Sequence, residues 1–139
     1  METKLLPKLE ALVREAATRG ASDLFLLPGE PPAVRIRGLI ERTAVDPLTA
    51  DDVRTLAART VGDANLARIG SEIGAFQRWF GLPAECNVSV CVARSHGDYT
   101  MTLRLIPARI SSVEEMRIPE AMVRAALAPK GLVIVAGRV

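Results

Sequence analysis

Asn87-Val88-Ser89-Val90-Cys91-Val92-Ala93, then Ser95-His96-Gly97-Asp98, then Tyr99-Thr100-Met101-Thr102-Leu103-Arg104-Leu105 is the stretch whose pattern decides the fold. On either side of the central four residues, apolar side chains recur at every second position. That period places alternate side chains on opposite faces of a strand. Ser, Gly and Asp between the two runs supply turn chemistry. The stretch is therefore read as an antiparallel hairpin of two half-buried strands, with Ser89, Thr102 and Arg104 on its outer face. Pro107 stops the second strand.

Upstream of the hairpin, Thr49 precedes Ala50-Asp51-Asp52 and the apolar series Val53, Leu56, Ala57 and Val61. This is the signature of an N-capped helix with acidic residues in its first turn, ended by Gly62. From Ala64 to Gly81 the spacing of Leu66, Ile69, Ile73, Phe76 and Phe80 predicts two short helical pieces interrupted by Gly70. Further back, Asp23–Leu27 and Ala33–Arg37 are read as strands joined by the Pro28-Gly29 turn, and Leu39–Thr43 as a third strand of the same antiparallel unit. At the N-terminal end Leu5, Leu6, Leu9, Leu12, Val13, Ala16 and Ala17 line one face of a helix that has Pro7 in its first turn and Gly20 at its close.

Downstream, Ser111 or Ser112 is placed to cap a helix starting near Val113, with Glu114 and Glu115 in its first turn. A second helix is predicted from Pro119 to about Leu127. Leu132-Val133-Ile134-Val135-Ala136 is apolar without alternation, the pattern of a strand buried on both faces of a parallel sheet, and Gly137-Arg138-Val139 follow it directly.

The chain has 139 residues, 49% of them apolar, enough for one domain, or one domain with a fragment of a neighbour, without disulfide or metal support. Eighteen Lys and Arg against 16 Asp and Glu leave a net charge of +2, and aromatic residues make up 4%. Neither basic stripe nor stacking platform is present for nucleic acid. No apolar run approaches the ~20 residues of a membrane span, so no direct membrane insertion is expected. The N-terminus lacks the pattern of a secretory signal. Cys86 and Cys91 sit five positions apart on a predicted strand, on opposite faces and about 17 Å from each other, so they are expected to stay as free thiols in the cytoplasm. His96 has no ligand partner at metal spacing, Asp23 has no second acid or base beside it and is assigned to a turn or cap, and Pro31-Pro32 fixes a turn. No nucleophile, base and orienting acid can be placed together, which disfavours a hydrolase.

Three segments read in order resemble the N-terminal half of the type IV pilus retraction and type II secretion ATPases. They are Gly20-Ala21-Ser22-Asp23-Leu24 with Pro31-Pro32-Ala33-Val34-Arg35-Ile36-Arg37-Gly38, then Leu103-Arg104-Leu105-Ile106-Pro107, then Gly131-Leu132-Val133-Ile134-Val135-Ala136-Gly137. Ser112-Val113-Glu114-Glu115-Met116 with Ile118-Pro119 resembles that family's inter-domain linker. The resemblance implies an α+β fold: a PAS-like antiparallel sheet with flanking helices over residues 1–106, a linker and helix over 107–130, and the first strand of a truncated RecA-like ATPase domain over 131–139.

The resemblance also implies a lid and subunit-packing role in a homo-hexameric motor of twitching motility or type II secretion. Its partners would be neighbouring subunits and an inner-membrane pilus or secretion platform protein, which would place it in the cytoplasm, peripheral to the inner membrane. ATP and Mg²⁺ belong to the intact family member, and Gly137 matches the first glycine of its phosphate-binding loop. The loop's Lys and Ser/Thr do not follow Gly137 here, so no cofactor and no ATP hydrolysis are expected of this chain alone. Two departures stand out: Phe25 where the family usually has His, and Asn87 and Ser89 where it usually carries an Arg-x-Arg pair. Arg104 is the arginine left from the set that the resemblance brings to the nucleotide. The alternative is a stand-alone PAS-like binding or regulatory module without catalysis.

Overall fold

A computed structural model describes residues 7–82 and 86–137. The chain divides into two compact units, residues 1–109 and 110–139.

The first unit opens with helix α1 (Pro7–Thr18), whose buried Leu9, Leu12, Val13 and Ala16 form the predicted stripe. Leu5 and Leu6 lie outside the described residues. Gly20, at φ +69°, takes the left-handed turn that ends the helix, and its N–H donates to the Ala17 carbonyl at 3.0 Å. Strands β1 (Asp23–Leu26), β2 (Ala33–Ile36) and β3 (Leu39–Arg42) follow as the expected meander. Helix α2 (Ala50–Val61) carries a complete capping box: the Asp52 N–H donates to Thr49 Oγ1 at 3.1 Å, and the Thr49 N–H donates to Asp52 Oδ2 at 3.0 Å. Helix α3 (Asp63–Arg68) is followed by strands β4 (Ala75–Leu82), β5 (Cys86–Ser95) and β6 (Asp98–Pro107).

The sheet is fully antiparallel in the order β3-β2-β1-β6-β5-β4. The hairpin that anchored the sequence reading runs from Cys86↔Pro107 to Ser95↔Asp98. Its two-residue turn places His96 at φ +51° and Gly97 at φ +93°, the double left-handed geometry that matches the twist of the flanking strands. One sheet face buries Leu24, Leu26, Val34, Val88, Val90, Val92, Met101 and Leu103 against α1 and α2, and this single cluster is the core. Each fully buried Leu or Val contributes about 1.5–3 kcal/mol of transfer free energy.

One expectation in this unit is corrected. The second of the two helical pieces predicted between Ala64 and Gly81 is strand β4, paired with β5 from Ala75↔Ala93 to Leu82↔Cys86. Phe76, Arg78 and Phe80 alternate inward along it, and pairing with an already formed hairpin outweighs a short stretch's weak helical spacing. Ser89 stands on the outer face as expected, yet it is 5% exposed, because Gln77 Nε2 donates to its Oγ at 2.6 Å and larger neighbours flank it.

In the second unit Ser112 and Glu115 make the anticipated cap: the Glu115 N–H donates to Ser112 Oγ at 3.2 Å, and the Ser112 N–H to Glu115 Oε2 at 3.0 Å. The helix expected from Val113 is a single turn, which Arg117 ends at φ +52° with the Ile118 N–H donating to the Val113 carbonyl at 3.0 Å. Helix α4 (Glu120–Ala126) follows Pro119, close to the predicted span. The strand expected at Leu132–Ala136 is not formed among the described residues. No ladder pairs there, and Leu132, Val133, Ile134 and Val135 are exposed. A two-sided apolar strand is stable only between neighbouring strands.

Candidate functional site

On the sheet face opposite the core, the cross-strand register sets the side chains in rows. One row reads Trp79 on β4, Ser89 on β5, Arg104 on β6, Asp23 on β1, Arg35 on β2 and Ile40 on β3. The hairpin register also puts Asn87 opposite Ile106 on the same face. The three positions of the anticipated arginine set, 87, 89 and 104, are therefore brought together, and Arg104 alone of them carries charge.

Arg104 is exposed and makes no hydrogen bond or ion pair with the described residues. Its neighbour Asp23 is not idle, although sequence reasoning assigned it only to a turn or cap. Asp23 Oδ2 accepts from Ser22 Oγ at 2.8 Å and lies 3.6 Å from Arg35 Nε. The Arg35 guanidinium stands over the Phe25 ring, 5.4 Å from its centroid. Phe25, at the position where the resemblance expects His, thus supplies an aromatic floor to the row beside it. Sequence reasoning missed Arg35 and Trp79 as members of this face. Alternation with Val34 and Ile36 gave the orientation of Arg35, but only the long-range pairing of β1 with β6 puts it in one row with Arg104.

Gly137 lies in the second unit and is exposed, and a Cβ built on it meets no atom within 4 Å. Among the described residues no group of three or more His, Cys, Asp or Glu is placed to hold a metal ion. What positions 87, 89 and 104 of the outer face offer is one cation, Arg104, with no hydrogen bond or ion pair among the described residues. The two cysteines are free: Cys86 is buried on the core face, where desolvation pushes its thiol up from the ordinary value, and Cys91 is half-buried on the outer face.

A groove of about 490 Å³ lies between the start of α2 and the β5–β6 turn, lined by Asp51, Arg54, Arg94, Asp98 and Tyr99 among others. Its acids and bases balance. Arg94 there is already engaged, with its Nε donating to the Gly97 carbonyl at 3.0 Å and its guanidinium 5.7 Å from the centre of the Tyr99 ring. No helix among the described residues is long and apolar enough to cross a membrane.

No protein-family model matches the chain. It is 28% identical over 141 aligned positions to the type IV pilus ATPase PilU of Pseudomonas aeruginosa, which covers 94% of the chain and 34% of that protein. It is 29% identical over 126 positions to the type IV pilus retraction ATPase PilT of the same organism, covering 91% of the chain and 36% of the relative. The chain therefore spans about a third of the length of these relatives. Among solved structures, the pilus retraction motor PilT with bound ADP superposes with a TM-score of 0.67 at 29% identity, over 86% of the chain and 34% of that structure. The ATPase DotB of Legionella pneumophila superposes with a TM-score of 0.73 over 89% of the chain and 36% of its own, and at 18% identity it shows the fold alone. The six-stranded antiparallel sheet with its flanking helices matches the N-terminal domain of these ATPases. In sequence and in fold the chain is similar to the N-terminal part of PilT-like pilus and secretion ATPases.

Proposed function

We propose that residues 1–106 are the nucleotide-facing lid and subunit-packing domain of a type IV pilus or secretion motor, with Arg104 as the group that approaches the phosphates. Residues 107–130 are its linker, and residues 131–139 lead into the motor domain, with Gly137 as the first glycine of the phosphate loop. The observation that carries this reading is the outer-face register. It gathers positions 87, 89 and 104 into one patch and leaves Arg104 as an unpaired cation, on a fold shared with a motor crystallised with ADP. An arginine free of protein partners stabilises developing phosphate charge without first breaking an ion pair.

ATP and Mg²⁺ would be held by the motor domain. A homo-hexamer, docking on an inner-membrane platform protein and a cytoplasmic site of action, peripheral to the inner membrane, belong to the same proposal. Asn87 and Ser89 make the lid less cationic than the family pattern, so a slower motor is the expected consequence. The stand-alone module reading is not favoured, since the relatives are ATPases.

The test is to place this chain, joined at Gly137, in front of the ATPase portion of P. aeruginosa PilT and measure ATP turnover. Arg104→Ala is expected to lower turnover by at least about tenfold without changing subunit association. Equal turnover in the two proteins removes the lid role.

A further inference from the structure

Asp23 is the cross-strand neighbour of Arg104 on one side and of Arg35 on the other. One carboxylate thus stands between two guanidinium groups, and which arginine it takes decides which one is left unpaired. Its side chain is 14% exposed, so it lies mostly out of water and needs a cation beside it. In the structure that cation is Arg35, at 3.6 Å, with Ser22 Oγ completing the carboxylate's contacts at 2.8 Å. The separation from Arg35 is longer than a hydrogen bond, and Arg35 Nε is buried without a hydrogen-bond partner. The pair is held by charge and by the Phe25 ring under Arg35, not by directional bonding. Arg104 is within the same reach, because directly opposed residues on antiparallel strands have Cβ atoms about 4.5–5.5 Å apart.

We propose that Asp23 and Arg35 are a positioning pair: Arg35 occupies the Asp23 carboxylate and so keeps the Arg104 guanidinium free for a phosphate-bearing ligand. The consequence for an anion follows from the row itself. With Asn87 and Ser89 uncharged, capture of Arg104 by Asp23 removes the cation of the β5–β6 patch. The ligand half of this inference rests on the role proposed for Arg104. The pairing half stands on the geometry alone.

The experiment uses the full 139-residue chain, with arginine side-chain NMR to follow Arg104 and inorganic tripolyphosphate as the anion at fixed ionic strength. In Arg35→Gln the Arg104 guanidinium is expected to show the slowed rotation of an ion-paired group. The tripolyphosphate dissociation constant read at Arg104 should rise by about two- to fivefold, the range an exposed ion pair supplies. Arg35→Lys keeps a cation beside Asp23 and should behave as the unmodified chain. The double variant Asp23→Asn with Arg35→Gln should restore both readouts, which a merely structural role for Arg35 does not predict. Unchanged Arg104 rotation in Arg35→Gln overturns the inference, as does failure of the double variant to restore it. If rotation responds as stated but tripolyphosphate perturbs Arg104 in none of the proteins, the pairing holds, and the phosphate role of Arg104 is what fails.

Discussion

Leu103 shows how little freedom a single side chain has here. It is fully buried and stands between Leu24 on β1 and Val90 on β5 in the register, with both neighbours equally sealed. Leu103→Ala removes three carbons from a site that strands on both sides prevent from collapsing, and is expected to cost about 2–5 kcal/mol. The urea midpoint gives the number, and a loss under about 1 kcal/mol would mean that the core repacks. The cysteines give an independent check of the same alternation. Cys86 faces the core, where burial raises its thiol and hides it, while Cys91 faces outward and is half-buried. Iodoacetamide applied to the native chain should label Cys91 first, with Cys86 following only on unfolding. Mass mapping of the modified thiol shows the order, and equal labelling would contradict the strand register.

At the scale of elements, α2 depends on its first turn. Hydrogen bonds from the Thr49 hydroxyl and then from the Thr49 N–H, with Lys8 nearby, hold the Asp52 carboxyl below its ordinary value of 3.8. A carboxyl depressed in the folded state stabilises the fold above about pH 4, and that contribution fades as pH falls through the folded value. Thr49→Ala is expected to destabilise the protein by about 1 kcal/mol near neutrality. It should also flatten the decline in urea midpoint as pH falls below about 4, because its Asp52 titrates more nearly as in the unfolded chain. An unchanged acid slope would separate Asp52 from the cap. Thr49 was readable from sequence as an N-cap because capping is a local signal, as were α1, the meander and the β5–β6 hairpin. Strand β4 was not, because Phe76, Arg78 and Phe80 fit a helical spacing almost as well as an alternating one, and only the exposed edge of β5 settles the choice. The candidate site divides in the same way. Arg104 and its outward direction come from local alternation, whereas its company in Asp23 and Arg35 comes from pairing between residues some eighty positions apart.

Over the whole molecule, the division into two units predicts how the chain loses structure. Among the described residues every core residue lies between Leu9 and Leu105, within the first unit. The second unit has a capped single turn and the seven-residue α4, in which no residue is buried. A helix this short is marginal in water without tertiary packing. Its apolar run at Leu132–Val135 is exposed and pairs with no strand among the described residues. Amide exchange should therefore separate the two units. Residues 110–137 are expected to exchange within seconds to minutes, whereas the paired amides of Val90 and Leu103 should wait for global unfolding. A chain ended at Arg109 should keep the cooperative melt of the first unit, with its midpoint within about 3 °C of the 139-residue chain. A fall of more than about 8 °C, the shift that the loss of 1–2 kcal/mol produces in a domain of this size, would show that residues 110–139 support the core.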